Sequence, residues 1–198
     1  MTSSALRAAR ALALAALSLS VPMLLAGCQT PRSPNDATAT DQTALQQAQA
    51  VPSLSITDAY FIDRATRGGL AEAQAGILAE HSAGTAPVRR FAARMVADHT
   101  RLNQELQAIA MRKRISLPTT PSDVQERALS GLQGLSGAVF DRQYLDQQVL
   151  MHVQAISLYR EEAQAGSDPD VKEFAARALP ELQQHLQMAE QLGGRASS

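Results

Sequence analysis

The feature that most limits what this chain can fold into is an internal repeat. Val88, Arg89 and Phe91-Ala92-Ala93-Arg94 return 83 positions later as Val171, Lys172 and Phe174-Ala175-Ala176-Arg177, each time just after a turn marked by Gly and Pro. With an offset of 80 the preceding helices also align, setting Glu72 opposite His152, and Asp98 stands opposite Glu181 in the repeat. A helix-turn-helix unit cannot bury its apolar face alone, so two copies imply a pair of αα hairpins closed into a four-helix bundle. The competing explanation is coincidence between Ala-rich stretches.

From about Leu54 to Leu192 the apolar residues recur with the 3.6 period of helices, and β-branched runs are few. The spacing predicts an all-α domain. A first helix runs from about Thr57 to His81 and is closed by Gly84 and Pro87; a second runs from about Pro87 to Arg114, ahead of Pro118 and Pro121. Ser122 caps a short helix reaching Leu132, and the chain breaks again around Gly134 to Gly137. A third long helix spans about Ala138 to Ala165 before Gly166 and Pro169. The fourth starts near Pro169 or Asp170 and stops at Gly193-Gly194, with Pro180 removing one backbone hydrogen bond inside it.

Ahead of this domain, Arg7 and Arg10 precede an apolar run from Ala11 to Ala26, the layout of an export signal. Leu25-Ala26-Gly27-Cys28 at its end resembles the bacterial lipoprotein signal, in which a peptidase cuts before the Cys and the thiol carries lipid. Cys28 is the only Cys in 198 residues, which excludes an intrachain disulfide and a Cys-based zinc cluster. A short transmembrane anchor is the alternative, but Ser18, Ser20 and Pro22 interrupt a run already short for a span of roughly 20 residues. Gln29 in place of Asp after the Cys resembles the lipoproteins released to the outer membrane. From Gln29 to about Ser53 the composition is that of a solvated tether. The expected division is residues 1–27 signal peptide, 28–53 lipidated Cys28 and tether, and 54–193 bundle, an outer-membrane lipoprotein facing the periplasm with the membrane as its partner. Without residues 1–27 the chain has 16 basic against 19 acidic side chains, and aromatics are 4% with no Trp. Neither a basic footprint nor stacking platforms for nucleic acid are present.

Heptad-like spacing names the inward positions. They are Val88, Phe91, Met95, His99, Leu102, Leu106 and Ile109 on the second helix, and Leu145, Val149, His152, Ile156 and Tyr159 on the third. On the fourth they are Val171, Phe174, Ala178, His185 and Leu192. Three of the four histidines stand where a Leu normally goes; His81 lies at a helix end, in solvent. On the first helix Glu72 projects from a stripe of small residues, Ala65, Gly69, Gly76 and Ala79, where another helix can come close. Glu72 and His99 lie roughly 15 and 18 Å from the first turn, and His152 and His185 roughly 21 and 24 Å from the second. The link from Arg114 to Ala138 is long enough to run the length of the bundle, which puts the two turns at opposite ends. In helices of roughly 38 Å the four groups then share one level near the middle.

A buried carboxylate must be paired or bound to a cation. One Glu and three His suit a single transition metal, Fe, Zn, Cu, Co or Mn. The two Glu-x-x-His pairs of di-iron bundles are absent from the sequence. Asp98 and His99 are adjacent, about 100° apart around the helix, so both cannot face one ion. Glu181 and His185 are four apart and can share a face, with Pro180 disturbing the local geometry. The alternative is a non-catalytic envelope protein in which the same residues form a hydrogen-bond network that fixes bundle register. Asp141 is expected as a helix-start carboxylate, Tyr144 as a half-buried, hydrogen-bonded phenol, Met95, Met111, Met151 and Met188 as core filler, and Arg112-Lys113-Arg114 as a solvated helix end. A metal-dependent oxidase would rest on fold analogy alone. No Ser/His/Asp arrangement, phosphate loop or nucleotide fingerprint is visible in the sequence.

Several of these residues also form a family pattern: Gly68-Gly69-Leu70-Ala71-Glu72, Phe91-Ala92, Met95-Val96-Ala97-Asp98-His99, Leu135-Ser136-Gly137, Phe140-Asp141, Tyr144, His152, Leu179-Pro180 and His185-Leu186. From Tyr60 to Leu192 the chain resembles a bacterial family of ferritin-like, predicted outer-membrane or periplasmic proteins described as a domain of unknown function. The resemblance implies a ferritin-like bundle with Glu72, His99, His152 and His185 as its shared polar positions. It implies no activity.

Overall fold

Ser55 opens the first helix through a capping box: its hydroxyl accepts the Asp58 N–H at 3.1 Å while the Asp58 carboxylate accepts the Ser55 N–H at 3.1 Å. The computed structural model describes residues 54–196, so the expected signal, Cys28 and tether lie outside the described residues. The helices are α1 (Ile56–Ser82), α2 (Ala86–Arg112), α3 (Asp123–Ser130), α4 (Gly137–Ala165) and α5 (Pro169–Ala196). α1 and α2 form one antiparallel hairpin, α4 and α5 the other, and the crossover between them carries α3, itself opened by a Ser122 and Gln125 capping box. This is the expected all-α four-helix bundle. Among the described residues no helix is long and apolar enough to cross a membrane.

Two helix ends differ from the expectation. α2 stops at Arg112 because Arg114 takes a left-handed backbone, φ 58°, and the Ile115 N–H turns back to the Ala110 carbonyl at 2.9 Å. α5 runs through Gly193-Gly194 to Ala196: glycine ends a helix by turning left-handed, and neither of these two has a positive φ.

The turns do lie at opposite ends, and two buried carboxylates hold them there. Asp58, at the start of α1, accepts the Ser167 and Asp168 N–H groups of the second turn at 2.8 and 3.2 Å. Asp141, at the start of α4, accepts the Gly84 and Thr85 N–H groups of the first at 2.8 and 3.1 Å. Asp141 is thus the helix-start carboxylate expected, serving the other hairpin's turn. Asp58 and Asp141 are themselves 83 positions apart, so the repeat extends to the contacts that join the hairpins. Lys113 is not solvated: it pairs with Asp168 at 2.7 Å and Asp170 at 3.0 Å, tying the end of α2 to the second turn, while Arg112 and Arg114 are exposed.

The small residues of α1 let α2 lie against it. A Cβ at Gly76 would stand 2.9 Å from the Ala92 carbonyl oxygen, which only glycine avoids. The core has two apolar halves, one around Phe61, Leu106 and Phe174 near the second turn and one around Phe91, Phe140 and Leu145 near the first. The predicted seams are buried except Val149 and Leu192, which are half-buried. Met95 fills the core as expected, but Met111 on the outer face of α2 is 70% exposed, and Met151 and Met188 are half-buried.

Beside Asp58 the Glu162 carboxyl is buried. Burial pushes it up, Asp58 and Asp168 add to the effect against Lys172, and it reaches about 7 from an ordinary 4.5. The folded state therefore holds this proton more tightly than the unfolded chain does. Its contribution to stability is complete below pH 4.5 and is lost as the pH rises through about 7. Over that window the urea midpoint of the wild type falls relative to that of Glu162→Gln; parallel pH profiles would contradict the pairing.

Candidate functional site

Glu72 on α1, His99 on α2, His152 on α4 and His185 on α5 each replace an apolar residue at an inward position, and they occupy the layer between the two apolar halves. Their residues are 2%, 4%, 0% and 0% exposed. The His152 ring lies edge-on to the other two, and His99 and His185 are tilted by 50°, with ring centroids 5.3 to 5.6 Å apart. One nitrogen from each ring lies within 4.8 Å of the other two, so a single point exists within about 2.8 Å of all three. His99 Nε2 touches Glu72 Oε2, and His152 Nδ1 lies 3.6 Å from Glu72 Oε1. The three predicted histidines converge, and Glu72 meets two of them, His99 and His152, without joining the set of ligand atoms that lie within 4.8 Å of one another.

One nitrogen on each of two rings is already engaged. His152 Nδ1–H donates to the Gln148 carbonyl at 2.9 Å, and His185 Nε2–H donates to Asp98 Oδ2 at 2.9 Å. Both partners are pure acceptors, so they fix the tautomers and leave His152 Nε2 and His185 Nδ1 as bare lone pairs. Those two atoms, together with His99 Nε2 and Glu72 Oε2, are buried without a hydrogen-bond partner. His99 Nε2 and Glu72 Oε2 touch without hydrogen-bond alignment.

Burial alone would raise the Glu72 carboxyl, but His152, His99 and His185 outweigh it and hold the group at about 2, an anion. His152 moves the other way: burial pushes it down, against Glu72 and with help from His99. His185 falls to about 4 through burial, with the Asp98 hydrogen bond opposing. Both imidazoles are neutral at pH 7, as metal ligands must be.

Asp98 does turn away from His99, as the helical geometry requires, but it orients His185 from outside and is itself held by Arg94 Nε at 3.1 Å. Reading α2 alone could not show that link, since it joins two helices. Asp98, Glu181 and His185 form a second group of close ligand atoms, yet Arg94 occupies Asp98 and Arg101 reaches Glu181 at 2.7 Å. Tyr144 is fully buried instead of half-buried, and its hydroxyl lacks a hydrogen-bond partner. Gln148, which the sequence reading missed, is fully buried with its amide unpaired. The signal was there: residues 144, 148 and 152 follow one helix face in steps of four. His81 is exposed, as expected.

In metal-free protein at pH 7, two-bond 15N–1H spectra should show His152 as the Nδ1–H tautomer and His185 as the Nε2–H tautomer. A doubly protonated ring at either position would contradict the geometry.

Comparison with solved structures finds the crystal structure of a DUF305 fragment from Deinococcus radiodurans, with a TM-score of 0.65 and 15% identity, covering 73% of this chain and 99% of that one. At that identity the likeness shows a shared helical fold and nothing more. No curated protein matches the chain. The family model described as Domain of unknown function (DUF4142) matches residues 30–192, starting inside the expected tether and taking in all five helices except the last turn of α5. On that match the chain belongs to the family DUF4142.

Proposed function

We propose that this chain is an envelope lipoprotein whose bundle binds one transition metal ion, Fe, Zn, Cu or Mn, through Glu72, His99, His152 and His185. One observation carries the reading. Inside an apolar core Glu72 Oε2, His152 Nε2 and His185 Nδ1 are buried acceptors without an aligned hydrogen bond; His99 Nε2 touches Glu72 Oε2, but among the described residues no donor meets His152 Nε2 or His185 Nδ1. A network needs donors opposite acceptors, and acceptors opposite acceptors repel. A cation answers all of them at once. The engaged nitrogens support the same reading, because a metal-ligating histidine commonly donates its other N–H to a carbonyl or carboxylate.

One carboxylate and three imidazoles give three N donors and one O donor in a buried layer, which zinc accepts tetrahedrally and the other metals accept with further ligands. This chemistry fits capture or storage of the ion and does not by itself supply a reaction. The membrane part of the proposal is supported by Leu25-Ala26-Gly27-Cys28 at the end of an apolar run and by the single Cys. The tether then holds the metal-binding domain off the membrane surface, facing the periplasm of the outer membrane.

Elemental analysis of the full chain after incubation with Fe, Zn, Cu or Mn and desalting should find about one equivalent of metal, absent in His152→Ala. Asp98→Asn should still bind, with affinity reduced about 10- to 100-fold because His185 loses its orienting acceptor. No bound metal at micromolar concentration, with His152→Ala only lowering Tm, would overturn the metal reading in favour of the network. Separately, Cys28→Ser should abolish incorporation of radiolabelled fatty acid in bacterial cells; undiminished labelling would contradict lipidation at Cys28.

A further inference from the structure

A cleft of about 410 Å³ opens between α1 and α4, with Gln125 of α3 on its edge. Of the four centre residues, Glu72 and His99 form part of its wall. Arg64 and Gln154 are exposed at its outer part, whereas Ala65 and Leu182 are buried in its depth, so the cleft leads from solvent to the Glu72 carboxylate. It exists because α1 presents Ala65 and Gly68 toward it and α4 presents Ala155; larger residues would close it. His152 and His185, and the Gln148 and Asp98 groups that hold them, are not on its wall.

We propose that this cleft binds a small monoanion, which approaches the centre on its Glu72 and His99 side. The proposal rests on the metal reading and extends it by naming the ligand class. A divalent ion held by one carboxylate and three neutral imidazoles keeps one positive charge in an apolar core, where uncompensated charge is costly. A monoanion cancels that charge; a neutral molecule leaves it and a dianion reverses it. Arg64 at the outer part of the cleft adds attraction for an anion, and Glu161, also on the wall and exposed, opposes it. The apolar depth restricts the occupant to a molecule of few atoms with little polar surface beyond its charge.

Azide is the probe, and the full chain loaded with Co(II) reports its arrival through the visible cobalt bands. Gly68→Leu is the blocking variant. A Cβ at residue 68 meets nothing nearer than Gln125 Nε2 at 3.9 Å, and leucine favours a helix over glycine, so the fold is kept. Its side chain lies one helical turn before Glu72, across the cleft. Azide should shift the cobalt bands of the wild type, and Gly68→Leu should hold the same equivalent of cobalt but bind azide about tenfold more weakly or worse. Cobalt bands unmoved by azide would overturn the monoanion site and leave the metal reading standing. Equal azide affinity in Gly68→Leu would overturn the cleft as the route. If the wild type takes up no cobalt, the metal reading fails and this proposal fails with it.

Discussion

A carboxylate in the middle of a helical bundle must be answered, and the rest of this molecule is arranged around the answer. Glu72 stands 2% exposed between two apolar halves, where an unpaired charge is far more costly than any single apolar contact is favourable. Three imidazoles from three other helices surround it. That encounter depends on the relative level of two hairpins, which depends in turn on where their turns sit. Asp58 and Asp141 fix those levels by binding the backbone of the opposite hairpin's turn, so the contacts at the ends of the bundle set the geometry at its centre.

The centre is oriented from outside as well. The Gln148 carbonyl and the Asp98 carboxylate take the N–H groups of His152 and His185, which aims the lone pairs inward. Burial pushes both rings toward the neutral form, and Glu72 stands among them as an anion. A donor set of this kind satisfies hydrogen-bonding rules poorly and coordination rules well. Gly76 lets α2 approach α1, and on another face of α1 Ala65 and Gly68 leave the cleft beside Glu72 open, so the centre can be reached from one side.

Much of this was legible in the sequence because helices are periodic. The repeat gave the hairpins, the 3.6 period put His99, His152 and His185 at core positions, and the long link from Arg114 to Ala138 placed the turns at opposite ends. Contacts between helices were not legible. Asp98 reaches His185 across 87 positions, and Lys113 reaches Asp168, because of how helices rotate against each other, which no single helix reveals. Boundaries that depend on one backbone angle also escaped: Arg114 turned left-handed without being glycine, and Gly193-Gly194 did not turn. Gln148 was overlooked because a polar residue between Leu145 and Val149 reads as a helix surface until its neighbours are known.

The central claim is that four inward-facing ligand atoms share one ion. The most direct measurement is anomalous diffraction from crystals of the protein grown with zinc, recorded on both sides of the zinc edge. The account predicts a single anomalous peak about 2.0 to 2.3 Å from nitrogens of His99, His152 and His185 and from a Glu72 oxygen. A layer with no peak, in which these side chains are bonded to one another or to ordered water, would contradict it.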